Sequence, residues 1–117
     1  MANTFRNKTS KGVGTALTQI GSYAVPNTDP DTVTTVIGLS VSNVTTSAVD
    51  VDVALSATMA NTTNDVSLGT TIPVPAGSTV VLVGGDQKLV MNEGELLKVK
   101  SSAASSVDVI MSILEIA

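Results

Sequence analysis

Two pairs of closely spaced carboxylates are the first places where this sequence could do chemistry. Asp29 and Asp31 flank Pro30 in NTDPDT, and Asp50 and Asp52 alternate with valines in AVDVDVALS. Paired carboxylates serve acid–base catalysis or bind calcium. The first pair lacks the further oxygen ligands and the glycine of a dedicated calcium loop. The second, about 7 Å apart on one strand face, has the spacing of any solvated strand. A weak Ca2+ site stays open at either pair, while a plain polar surface accounts for both. The stretch VVLVGGDQKLVMNEGELLKV, Val80 to Val99, sets Gly84-Gly85-Asp86 between apolar runs, as a phosphate-cradling loop would. Such a loop needs a Lys, a Ser or Thr, and then a helix whose N-terminus faces the anion. The residues from Gln87 to Lys100 read instead as strand, turn, strand, with the glycines and Gly94 supplying positive φ where a hairpin reverses. A serine nucleophile needs a base, and without histidine only Lys88, Lys98 or Lys100 could serve. No Ser-x-x-Lys occurs. No catalytic, cofactor-binding or metal-binding residue is assigned, and an enzyme is not expected.

Composition narrows the remaining classes. The chain has 117 residues, no Cys, no His and no Trp, with Tyr23 and Phe5 as its two aromatic residues. Zinc-finger, thiol and imidazole chemistry are thereby excluded, and one domain with one core is the expected organisation. The N-terminus MANTFRNKTSKGVG has basic residues but no apolar stretch of signal-peptide length, so no secretory leader is expected. No segment approaches the ~20 apolar residues of a membrane span, and no membrane partner is expected. Arg6, Lys8 and Lys11 lie in the first eleven positions, where there is no acid; the rest of the chain sets all ten acids against three lysines. An acidic, aromatic-poor body repels nucleic acid and offers no stacking platform, so the folded part is not expected to bind it.

These side chains are carried by a pattern of strands. Val, Thr and Ser dominate, apolar and polar residues alternate, and turn signals recur about every ten residues, as in an all-β sandwich. In TTVIGLSVSN the period of two puts Val33, Ile37, Leu39 and Val41 on one face; in AVDVDVALS it does the same for Val49, Val51, Val53 and Leu55, leaving Ser40, Ser42, Asp50, Asp52 and Ser56 toward water. Eight strands are predicted: Thr15 to Tyr23, Thr32 to Asn43, Ala48 to Ala57, Val66 to Val74, Thr79 to Val83, Gln87 to Met91, Leu96 to Ser101 and Val107 to Ile116. The loop Met59 to Asp65 connects the third to the fourth. Pro73 and Pro75 remove ladder donors and place their strand at an edge or end. A faint repeat aligns VSNVTTSAVDVDVAL with VKSSAASSVDVIMSI at an offset of 58, identical at five of fifteen places. The expected fold is an all-β, antiparallel two-sheet β-sandwich, jelly-roll or immunoglobulin-like, of about seven to eight strands. Residues 1–14 form an extended N-terminal arm and residues 15–117 the single sandwich domain.

The last predicted strand, VDVIMSILEI, is apolar on both faces, Val109, Met111 and Ile113 on one and Ile110, Leu114 and Ile116 on the other. It should be central in its sheet or covered by a neighbouring subunit. Ile110, Leu114 and Ile116 are accordingly the expected subunit contact. The arm lacks apolar periodicity, and docking on a neighbour is expected of it, with Phe5 as apolar anchor and Arg6, Lys8 and Lys11 against carboxylates.

The segments MANTFRNKTSKGVGT, TVIGLSVSN, PVPAGS and KVKSSAASSVDVIMSILEI, taken together, resemble small virion structural proteins of tailed bacteriophages, particularly phages of cyanobacteria and other aquatic bacteria. The resemblance spans nearly the whole chain and rests on strand and turn wording. It implies a non-enzymatic virion protein, assembled in the host cytoplasm as a homo-oligomer, a trimer included. Such a protein would decorate the capsid or serve the neck or tail, touching other virion proteins there. The competing class is a carbohydrate- or receptor-binding sandwich such as an adhesin tip, which needs an exposed aromatic platform or a calcium cluster.

Overall fold

The computed structural model describes residues 3–26, 33–59, 62–84 and 86–116. Asp29 and Asp31 lie outside these residues. The described chain is all-β, with nine strands: β1 (Asn3–Val13), β2 (Thr18–Gln19), β3 (Val33–Asn43), β4 (Val49–Met59), β5 (Thr62–Val74), β6 (Thr79–Val83), β7 (Leu89–Met91), β8 (Leu96–Ser101) and β9 (Val107–Ile116). One sheet has the order β1-β9-β3-β6, with β7 also on β3; the other runs β2-β8-β4-β5. Every strand pairing is antiparallel. We call these the first and second sheets.

Period-two alternation builds the core. Val107, Val109, Met111 and Ile113 of β9 point inward and are at most 1% exposed, packed with Val51, Val53, Leu97 and Val99 of the second sheet. Each fully buried side chain of this kind contributes about 1.5–3 kcal/mol, and no disulfide is needed. β9 lies between β1 and β3, the central position expected for a strand apolar on both faces. β5 is the edge of the second sheet, where Pro73 forfeits no essential donor.

Several expectations are corrected by local geometry. In β3 the register shifts between Val36 and Gly38, so Thr34 and Val36 are buried before the bulge and Leu39 and Val41 after it. Val33 and Ile37 therefore do not share a face with Leu39 and Val41; one extra residue in a strand reverses its faces. The register of β4 with β5 shifts on both sides of Val53, the extra residues lying in β5, while β4 pairs with β8 without a shift; Ser56, expected to face water, is nevertheless 4% exposed. The predicted strand Thr15 to Tyr23 shrinks to β2 and a 3-10 turn, Ile20–Ser22, because Gly21 and Ser22 take φ of 59° and 52°. The predicted loop Met59 to Asp65 is largely strand, with pairing continuing to Met59↔Thr62.

The turn at Gly84 is not a hairpin reversal. Gln87 N–H donates to the Gly84 carbonyl at 3.1 Å, yet β6 pairs with Leu39 to Ser42 and β7 with Thr34 to Val36, both antiparallel to β3. The two are successive pieces of one interrupted edge strand, broken opposite the β3 bulge. The turn Asn92 to Glu95, with Gly94 at φ 77°, carries the chain from the first sheet to the second.

Residues 3–13 of the expected arm form β1, an edge strand on β9 of the same chain, in register from Asn3↔Ile116 to Val13↔Val107 with a shift between Ser10 and Val13. Val13 is its one buried residue. The strand is held chiefly by its backbone ladder, which is why apolar periodicity carried no sign of it.

Candidate assembly surface

The two sheets present different outer faces. On the second sheet, Lys98 bridges Asp65 at 3.1 Å, Lys100 lies 3.6 Å from Asp52, and Asp50 is exposed beside them. Such charge-laced strands are a solvent face, and each exposed pair adds little stability. Asp52 also accepts the Thr71 N–H at 2.6 Å, so it is committed to its own fold. A shallow cleft of about 340 Å³ is lined by Asp50, Asp52, Lys100, Thr71 and Ser101. Among the described residues no three His, Cys, Asp or Glu side chains come together to hold a metal ion.

The outer face of the first sheet is built differently. Register aligns Phe5, Leu114, Thr35 and Val90 in one row across four strands. Four residues along β9, a second row holds Thr9, Ile110, Ser40 and Val81. Phe5 is 71% exposed, Val81 65%, Val90 53% and Ile110 52%. Between these apolar ridges lies a row of small side chains, Asn7, Ser112 and Gly38. A depression of about 340 Å³ opens along it, lined by Phe5, Arg6, Asn7, Ile37, Ser112 and Ile113. At the margins lie Ile116 with Val33, and Asp108 with Ser42 and Thr79. Asp108, with exposed Lys11 in the β1 bulge opposite it, brings charge to the last of these rows, and its carboxylate accepts the Gly12 N–H at 2.8 Å.

Arg6 and Lys8 of β1 turn the other way. Arg6 Nε donates to Glu115 Oε1 at 2.7 Å, and Tyr23 Oη donates to Glu115 Oε2 at 2.8 Å. With its proton so used, Tyr23 accepts from the Thr34 hydroxyl, also at 2.8 Å. Lys8 Nζ sits 5.4 Å from the centre of the Tyr23 ring, a cation–π contact. Burial is the main cause that pushes the Tyr23 phenol up to about 12; Thr34 opposes the shift and Glu115 adds to it. Burial also acts to raise the Glu115 carboxyl, but the hydrogen bonds from Arg6 and Tyr23 and the charges of Arg6 and Lys8 outweigh it and hold the carboxyl below its ordinary value.

Of the residues expected at a subunit contact, Phe5, Ile110, Leu114 and Ile116 thus share one outer face, Arg6 and Lys8 are engaged with Glu115 and Tyr23 of their own chain, and Lys11 is exposed on β1. Sequence reading missed Val81 and Val90. The signal for Val81 was present in the uninterrupted apolar run VVLV, which, like β9, leaves an apolar side chain on each face.

No protein-family model and no curated protein matches this chain. Solved structures do resemble it. A chain of the Bacillus endospore appendages, disulfide-linked pili, is 16% identical with a TM-score of 0.51, covering 97% of this chain and 85% of the other. A chain of infectious bursal disease virus, Gx strain, is 8% identical with a TM-score of 0.55, covering 97% and 32%. A chain of an archaeal virus with a triple jelly roll fold and turret assembly is 13% identical with a TM-score of 0.54, covering 97% and 28%. The protein spans about a third or less of either viral chain. At these identities the likeness is one of fold, a jelly-roll-type β-sandwich.

Proposed function

We propose that the protein is a non-enzymatic structural subunit of a virus particle, assembling in many copies on the virion. The resemblance of its segments to small tailed-phage proteins makes a capsid decoration or a neck or tail accessory subunit the specific form of this reading, assembled in the host cytoplasm. The observation that carries it is the outer face of the first sheet, where exposed Phe5, Val81, Val90 and Ile110 stand in rows almost free of charge. Patches of this kind mark protein contact surfaces. The sandwich folds of the virus and pilus chains with which it aligns are consistent with that use. A sugar-binding module fits less well, because the Tyr23 ring is 7% exposed and lies under Lys8, leaving Phe5 as the one accessible aromatic side chain. An antibody raised against the purified protein should label intact virions at regular, repeated positions in electron micrographs. Infected-cell lysates that contain the protein while gradient-purified particles lack it would refute the reading.

A further inference from the structure

We infer that the outer face of the first sheet is a homotypic interface, on which a second copy of this chain packs face to face. This rests on the structural-subunit reading and says which surface performs the assembly and what occupies it.

Charge selects the occupant. The chain carries a formal net charge of −4, so two copies repel unless they meet where neither presents charge. The rows from Ile116 to Ile110 provide that place, with Asp108 and Lys11 beyond them at the margin, and face-to-face packing leaves the carboxylates and lysines of both second sheets on the outside of the pair. Area is sufficient. β1 and β3 with eleven residues each, β9 with ten, and the interrupted edge of β6 with five and β7 with three, at about 4.8 Å between strands, make a face of roughly 650 Å², within the ~600–1,000 Å² per partner of a standard interface. Relief is self-complementary. The Phe5–Leu114–Val90 ridge and the Ile110–Val81 ridge are about 13 Å apart along the strands with a trough of small residues midway, so an offset of half that period seats a ridge of each copy in the trough of the other. Two sheets packed this way sit about 10 Å apart with strands roughly aligned, as in the sandwich itself.

The test places charge on that face and compares it with charge elsewhere. Ile110→Asp and Val81→Lys put an unpaired charge into a surface that each copy presents, so every substitution acts twice in a two-fold pair. Both sites are more than half exposed in the single chain, so circular dichroism should match wild type, and so should melting at concentrations too low for association. Asp50→Lys, on the second sheet, is the control. Light scattering from about 1 to 100 μM should give a multiple of 11.8 kDa for wild type and for Asp50→Lys. The two first-sheet variants should need about 100-fold more protein to associate. A nitroxide on Ser112→Cys, clean because the chain has no Cys, should report a second label within about 20 Å. If wild type associates and the first-sheet variants associate equally well, this face is the wrong one while the assembly reading stands. If wild type stays monomeric at about 100 μM, the homotypic interface is refuted. Particle labelling then decides separately whether the virion reading survives.

Discussion

Replacing Tyr23 by Phe tests whether the cluster around Glu115 fastens β1 to the sandwich. The substitution keeps the ring under Lys8 and removes one oxygen that makes two hydrogen bonds, one donated to the Glu115 carboxylate and one accepted from Thr34, which is 0% exposed. A hydrogen bond to a charged group contributes about 1.5–3 kcal/mol and a neutral one about 1, so Tyr23→Phe should cost roughly 2–4 kcal/mol in urea titrations, with an unchanged slope. Tyr23 is the one tyrosine of the chain, so absorbance near 295 nm follows its ionisation with no background from another phenol. The folded phenol titrates at about 12 against an ordinary 10.0. Its folded pKa is the higher one, so the stabilisation is complete below pH 10 and is lost as pH rises toward about 12. Integrated over two units this is on the order of 3 kcal/mol, similar to the hydrogen-bond figure. Stability of Tyr23→Phe should therefore converge on that of wild type as pH rises through this window. A folded phenol that titrates near 10, together with a Tyr23→Phe cost below about 0.5 kcal/mol, would refute the reasoning.

Glu115 acts at the opposite end of the pH scale: its carboxyl is held low by Arg6, Tyr23 and Lys8, so its stabilisation is present above the unfolded carboxylate pKa and fades as pH falls through the folded one. In acid urea titrations Glu115→Gln should be less stable than wild type at neutral pH, with the gap closing as pH drops. Gly21→Ala places a Cβ 2.7 Å from Lys8 Cβ at φ +59°, and should lower stability by about 1–3 kcal/mol through strain and displacement of β1; a neutral effect on melting would show that the turn and β1 adjust freely. Deleting residues 1–11 removes no buried side chain among the described residues, since Val13 remains; circular dichroism should stay β-rich while light scattering shows altered association, and a truncated chain that enters particles as well as the full one would deny the strand any assembly role.

How much of the fold was legible in the sequence depends on which forces write themselves into side chains. Burial does: Val49-Asp50-Val51 and Val107-Asp108-Val109, matched by the offset of 58, both open strands with valines inward and aspartate outward. The aligned segments also cross between the sheets, β3 to β4 in one direction and β8 to β9 in the other. Backbone pairing leaves no such mark. β1 pairs along nearly its whole length through side chains that stay mostly exposed, so its polar sequence read as an arm. Bulges are equally silent, because the extra residue at Ile37 is defined by what lies opposite it on β9, β6 and β7, not by its own type. The same silence hid part of the candidate interface. Ile110, Leu114 and Ile116 were visible as a second apolar face on a strand whose first face already filled the core. Joining them to Phe5, Val81 and Val90 required the cross-strand register. An interface made of rows across strands belongs to the sheet's pairing, and its apolar content becomes continuous only once β1 is laid on one side of β9 and the β3–β6/β7 edge on the other.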